Sequence, residues 1–137
     1  MTAGAPELQG SVTIAVSGEE DLMAARHAVR SASMASGFPL SDQTRIVTAA
    51  TELARNAYIH DGGGTVTIQE VRRPGGKGLR ISVAGQGQGT SAADALMSDE
   101  PGPGHELGGV RRLVDDFEFT AVPGEGSTAT VIHWIQA

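Results

Sequence analysis

Where its glycines fall constrains this chain more than any other feature. They cluster at 62–64, 75–78, 85–89, 102–109 and 124–126, each time at the end of a periodic segment. Glycine tolerates positive φ and lets backbone approach a ligand closely, at an entropic cost. Nineteen glycines in 137 residues is twice the usual share of about 7%. One cluster reads equally well as a hairpin turn. Several together point to a site lined by backbone.

The segments between the clusters have clear periods. Residues 11–16 alternate and are β-branched, which predicts a short strand. Residues 19–36, rich in Ala, Met, Leu and Arg with acids at the start, predict a helix ending near Gly37. Phe38-Pro39-Leu40 turns a corner, and Ser41 is the expected cap of a second helix with Asp42 in its first turn. That helix carries Ile46, Val47, Ala50, Leu53, Ala54, Ala57 and Tyr58 at a 3.6-residue period. Residues 65–71 and 79–84 predict strands joined as a hairpin through a basic, glycine-rich link. A short helical stretch at 92–97, a loop at 99–104, a helix over 107–116 and strands at 117–122 and 128–135 complete the chain. The order predicts an α+β two-layer sandwich, with helices on one face of a mainly antiparallel or mixed sheet. It spans residues 11–137 as one domain, after a flexible N-terminal arm at 1–10.

Composition narrows the function. The chain is 39% apolar and 19% charged, enough apolar content for a core. A net charge of −6 and a pI near 5.1 speak against a nucleic-acid module, which carries a basic face. The basic cluster of Arg72, Arg73, Lys77 and Arg80 is too small to offset that balance. Without cysteine there are no disulfides, thiolate zinc sites or cysteine nucleophiles. No apolar run approaches the roughly 18 residues of a membrane span, and residues 1–10 lack the pattern of a signal peptide. The expectation is a cytoplasmic protein with neither nucleic acid nor membrane as partner.

Three constellations could carry chemistry. Glu52 and Asn56 stand at i and i+4 on one helix face, beside the apolar stripe, and His60 continues the row. This is either a solvated polar face or a carboxylate base next to an amide oxygen that holds magnesium; in phosphate sites that ion takes one or two protein oxygens. Gly85-Gln86-Gly87-Gln88-Gly89 follows a strand, but a dinucleotide fingerprint would need a parallel βαβ unit where the sequence shows a hairpin. A phosphate P-loop is excluded because Gly78, not Ser or Thr, follows Lys77. The glycine-rich run from Gly102 to Gly109 enters a helix, as a simple cap or as an anion site at free amides. His27, His60, His105 and His133 show no metal-ligand spacing, and no nucleophile elbow supports a hydrolase triad.

Glu52-Leu-Ala-Arg-Asn56, Gly85-x-Gly87-x-Gly89, Gly102-x-Gly104 and Gly124-Glu-Gly-Ser127 come in an order that resembles the Bergerat-fold (GHKL, histidine-kinase-like) ATPases. Within them the chain is similar to the RsbT-like anti-sigma serine/threonine kinases, through 48–58, Gly78-Leu-Arg-Ile, Gly109-Val-Arg-Arg-Leu-Val-Asp-Asp-Phe and Glu125-Gly-Ser. The resemblance covers about residues 11–136. It implies ATP- and Mg2+-dependent phosphorylation of a STAS-domain antagonist in stress-response partner switching, with a metal-dependent serine phosphatase or a stressosome complex as further partner. It also implies Glu52 as general base, Asn56 as the magnesium ligand, Gly87 and Gly89 in the adenine pocket, Gly102 and Gly104 in the phosphate lid, and Ser127 as the hydroxyl of the last box. Phosphoryl transfer needs this kind of positioning and charge neutralisation more than covalent chemistry.

The sequence departs from the family at two positions. Gly85 replaces the aspartate that accepts the adenine amino group, a charge-assisted bond worth about 1.5–3 kcal/mol. Glu106 replaces a third lid glycine and adds negative charge near the phosphates, while Gln86 or Gln88 could supply another acceptor. These departures support an alternative: a nucleotide-independent pseudokinase acting as a protein-binding switch. On that reading, Gly85→Asp with Glu106→Gly is expected to raise nucleotide affinity.

Overall fold

The computed structural model describes residues 7–85, 109–122 and 126–135. Strand β1 (Glu7–Val16) leads into helices α1 (Glu19–Ala35) and α2 (Leu40–His60). Strands β2 (Gly64–Arg73), β3 (Gly76–Gly85), β4 (Asp116–Val122) and β5 (Gly126–Trp134) follow. The five strands form one sheet in the order β1-β2-β3-β5-β4, and every pairing is antiparallel. β5 lies between β3 and β4, so the chain crosses over between β3 and β4 and returns through a hairpin. α1 packs on β1 and β2, and α2 on β2, β3 and β5. This is the expected two-layer α+β sandwich, with a sheet that is antiparallel among the described residues.

Alternation decides which strand residues face the helices. Val66 and Ile68 of β2, Leu79, Ile81 and Val83 of β3, and Ala129 and Val131 of β5 are buried in one core. Leu22, Ala25 and Val29 of α1 and Ile46, Ala50, Leu53 and Ala57 of α2 meet them there. The α2 stripe is therefore the core face read from the sequence, although Tyr58 only packs at its edge.

The ends of elements differ from expectation in instructive ways. β1 begins at Glu7, so residues 7–10 of the expected arm are strand; a register shift between Gln9 and Ser11 interrupts the alternation and hides this extension. α1 stops at Ala35, and Gly37 takes φ 85°, a left-handed residue that ends a helix. α2 starts at Leu40 with Pro39 as its cap, so Ser41 lies inside the first turn rather than capping it. The β2–β3 hairpin closes on Pro74-Gly75, with Arg73 opposite Gly76. The helix expected over 107–116 is, in its described part, a helical turn closed by Arg112 N–H to Gly109 O (3.1 Å) and Leu113 N–H to Val110 O (3.0 Å). β4 has already begun at Asp116. The stretch expected to be helical at 92–97 lies outside the described residues.

The end of α2 sits very close to the sheet. A Cβ at Gly64 would stand 2.5 Å from the Ala84 carbonyl oxygen and 3.2 Å from the Ala57 side chain. Glycine at 64 and alanine at 57 thus let the last turns of α2 lie directly on β2 and β3.

Candidate functional site

Helix α2 carries polar side chains into the interior on one flank. Asp42, Ala49 and Asn56 recur every seven residues, nearly two full turns, and all three are buried. Burying an amide is costly unless its hydrogen bonds are met. Yet Asn56 Oδ1 is buried with no hydrogen-bond partner. A hard amide oxygen held dry and unpartnered fits a magnesium ligand. The solvated-face reading of Asn56 is therefore wrong. One turn earlier, Glu52 is half-buried and lines a groove of about 250 Å3 between α1 and α2, with Arg26, Arg30, Thr48, Thr51 and Arg55. The side chain of His60, third in the row, lies outside the described residues.

At the C-terminal end of α2 the structure brings together residues that the sequence leaves far apart. Ala84 pairs with Thr128 in the β3–β5 ladder, which places Gly85 beside Ser127. Asp61, the C-cap of α2, reaches into that place. Ser127 Oγ–H donates to Asp61 Oδ2 at 2.5 Å, and both residues are buried. A Cβ at Gly85 would lie 2.7 Å from the Asp61 carboxyl carbon and would overlap its Oδ2 outright. The absence of a side chain at 85 is what makes room for the Asp61 carboxylate. The expectation that Gly85→Asp raises nucleotide affinity changes accordingly: with Asp61 in place, two carboxylates would compete for one volume.

Of the residues picked from the sequence, the structure gathers Asn56 and Ser127 at this end of the sandwich, with Glu52 one turn back along α2. Gly87, Gly89, Gly102 and Gly104, with Glu106, lie outside the described residues. Asp61 was missed. Its sequence signal was an acid directly after a helix and before Gly62-Gly63-Gly64, at the helix end where negative charge is disfavoured.

A second polar cluster, also unanticipated, lies at the other end of α2. His133 Nε2–H donates to Asp42 Oδ1 at 2.9 Å, and His133 Nδ1 stands 3.4 Å from Asp115 Oδ2. Asp115 Oδ2 accepts the Trp134 backbone N–H at 2.7 Å. Arg45 and Arg112 stand at the rim of the adjoining cavity. No group of three or more acids and histidines among the described residues could hold a metal. No described helix is long and apolar enough to cross a membrane.

Comparison with known proteins agrees with this geometry. The chain of the SiaB–SiaC complex structure from Pseudomonas aeruginosa shares the fold at a TM-score of 0.54 and 13% identity, over 93% of this chain and 91% of that one. Serine/threonine-protein kinase RsbT from Bacillus subtilis (strain 168) is 40% identical over 122 residues, covering 86% of this chain and 92% of RsbT. Residues 16–134 match the histidine kinase-like ATPase domain. Fold, buried Asn56 and sequence likeness converge, and the chain belongs to the histidine kinase-like ATPase domain family, with RsbT among its relatives.

Proposed function

We propose that the protein is an RsbT-like serine/threonine kinase that moves the γ-phosphoryl group of ATP onto a hydroxyl of a STAS-domain antagonist. It would act in cytoplasmic partner switching for stress response, in a stressosome complex or with a metal-dependent serine phosphatase. The observation that carries this reading is the buried, unpartnered Asn56 Oδ1, four residues after Glu52 on the same helix.

In this reading Asn56 would hold magnesium, which when bound neutralises charge on the triphosphate. Glu52 accepts the proton of the attacking hydroxyl while the new O–P bond forms and the bond to the ADP oxygen breaks. Half-buried in the groove wall, the carboxylate is not sealed off from a docked protein. Ser127 belongs to the wall of the nucleotide site. Gly87, Gly89, Gly102 and Gly104 keep the pocket and lid roles that the family resemblance implies.

The test is transfer from γ-labelled ATP to a purified STAS protein. Glu52→Ala should lower the rate by about 10²–10⁴-fold and leave calorimetric binding of the STAS partner unchanged. If Glu52→Ala leaves the transfer rate unchanged, the assignment of the base fails. The pseudokinase alternative draws on Gly85 and Glu106, and wild-type protein that binds its partner but never ATP would favour it.

A further inference from the structure

The family's adenine-binding aspartate is absent at position 85, but the space is not empty of carboxylate. Asp61 enters it from a different element, the end of α2, and its Oδ2 occupies the volume a Gly85 side chain would fill. The Ser127 hydroxyl orients it with a 2.5 Å hydrogen bond. Asp61 is buried, it sits at the helix end where negative charge is disfavoured, and a buried carboxylate needs compensation to be tolerated. Asn56, with its unpartnered oxygen, lies five residues earlier on the same helix, about 7–8 Å along its axis.

We infer that Asp61, oriented by Ser127, replaces the aspartate missing at Gly85 as the acceptor that selects adenine over guanine nucleotides. The proposal rests on the nucleotide-binding reading above. A carboxylate can accept several hydrogen bonds, and Ser127 donates one of them. The 6-amino group of adenine is also a donor. Guanine presents an oxygen at the same ring position, acceptor against acceptor, which the site would reject. Glycine at 85 and aspartate at 61 are then two halves of one relocation: the first empties the volume and the second fills it from the helix.

The experiment measures Kd for Mg-ATP and Mg-GTP by calorimetry, with thermal melting of the nucleotide-free protein as a check on folding. Wild type should bind ATP more tightly than GTP. Asp61→Asn, which keeps an oxygen for Ser127 but replaces an acceptor by a donor, should weaken ATP by about 10- to 150-fold and leave GTP equal or tighter. Moving the acid to its alternative position, Asp61→Ala with Gly85→Asp, should recover the preference for ATP and decides the matter if Asp61→Asn fails to fold. Wild type that binds ATP, together with an Asp61→Asn variant of unchanged ATP and GTP affinity, overturns the role of Asp61 and leaves the kinase reading standing. Wild type that binds neither nucleotide overturns both.

Discussion

The two ends of helix α2 bury different polar groups. At the N-terminal end Asp42 sits where the helix dipole favours an acid and receives a 2.9 Å hydrogen bond from buried His133. Asp115 and the arginines at the rim surround that pair with charges of both signs. At the C-terminal end Asp61 sits where the dipole disfavours an acid, and Asn56 Oδ1 has no partner at all. Asp42 and Asn56 lie on the same flank of one helix, so helix geometry does not account for the contrast. Each end leaves one buried atom without a hydrogen bond, His133 Nδ1 and Asn56 Oδ1; the imidazole is tied to Asp42 through its other nitrogen, whereas the Asn56 oxygen is an acceptor left unmet, as in a binding site before its ligand arrives.

Two substitutions would break or sharpen this contrast. Asn56→Ala should weaken Mg-dependent ATP binding by roughly 10- to 150-fold while changing unfolding free energy by less than about 1 kcal/mol, because the oxygen removed makes no hydrogen bond. Calorimetry with and without magnesium, paired with urea unfolding, reads both effects. A large stability loss would place Asn56 in the structural class. Asp42→Ala should do the reverse: it strands buried His133 and costs about 1–3 kcal/mol of stability, with ATP affinity unmoved. Loss of ATP affinity without loss of stability would erase the distinction between the ends.

The smallest expected effect lies away from both ends. Burial alone would raise the pKa of Glu70, but hydrogen bonds from Ser36 and Arg72 and the nearby Lys77 charge outweigh it and hold the carboxyl below its ordinary value of 4.5. A lowered folded pKa adds stability above the unfolded value, and that stability is lost as pH falls through the folded one. Glu70→Gln should therefore flatten the fall in stability below about pH 4.5, by under about 1 kcal/mol for so exposed a pair. Identical acid-unfolding curves for the two proteins would refute this.

Local pattern accounts for most of the fold and for part of the site. The strands of the β2–β3 hairpin are legible because alternation and Pro74-Gly75 agree, and the core face of α2 is legible because its apolar period is unbroken. β1 was read short because the shift between Gln9 and Ser11 breaks the alternation. Glu52 and Asn56 were visible by spacing, but the burial of Asn56 was not, since the stripe of large apolar residues passes beside it; the period Asp42, Ala49, Asn56 carries that information in small and polar residues. Asp61 escaped because its meaning depends on Gly85 and Ser127. A contact between a helix end and two strands is set by tertiary packing and leaves no local period.

The tight seat of α2 on the sheet also acts as a calliper. Gly64, with 3.2 Å between its absent Cβ and the Ala57 side chain, sets how far the last turns of α2 stand from β2, and those turns carry Asn56 and lead into Asp61. Even one methyl group at position 64 would press on both the Ala84 carbonyl of the sheet and the Ala57 side chain of the helix, although position 64 contributes no side chain of its own. Displacements of about 1 Å can cost a hundredfold in rate, so the thickness of two small residues sets the gauge of the whole site.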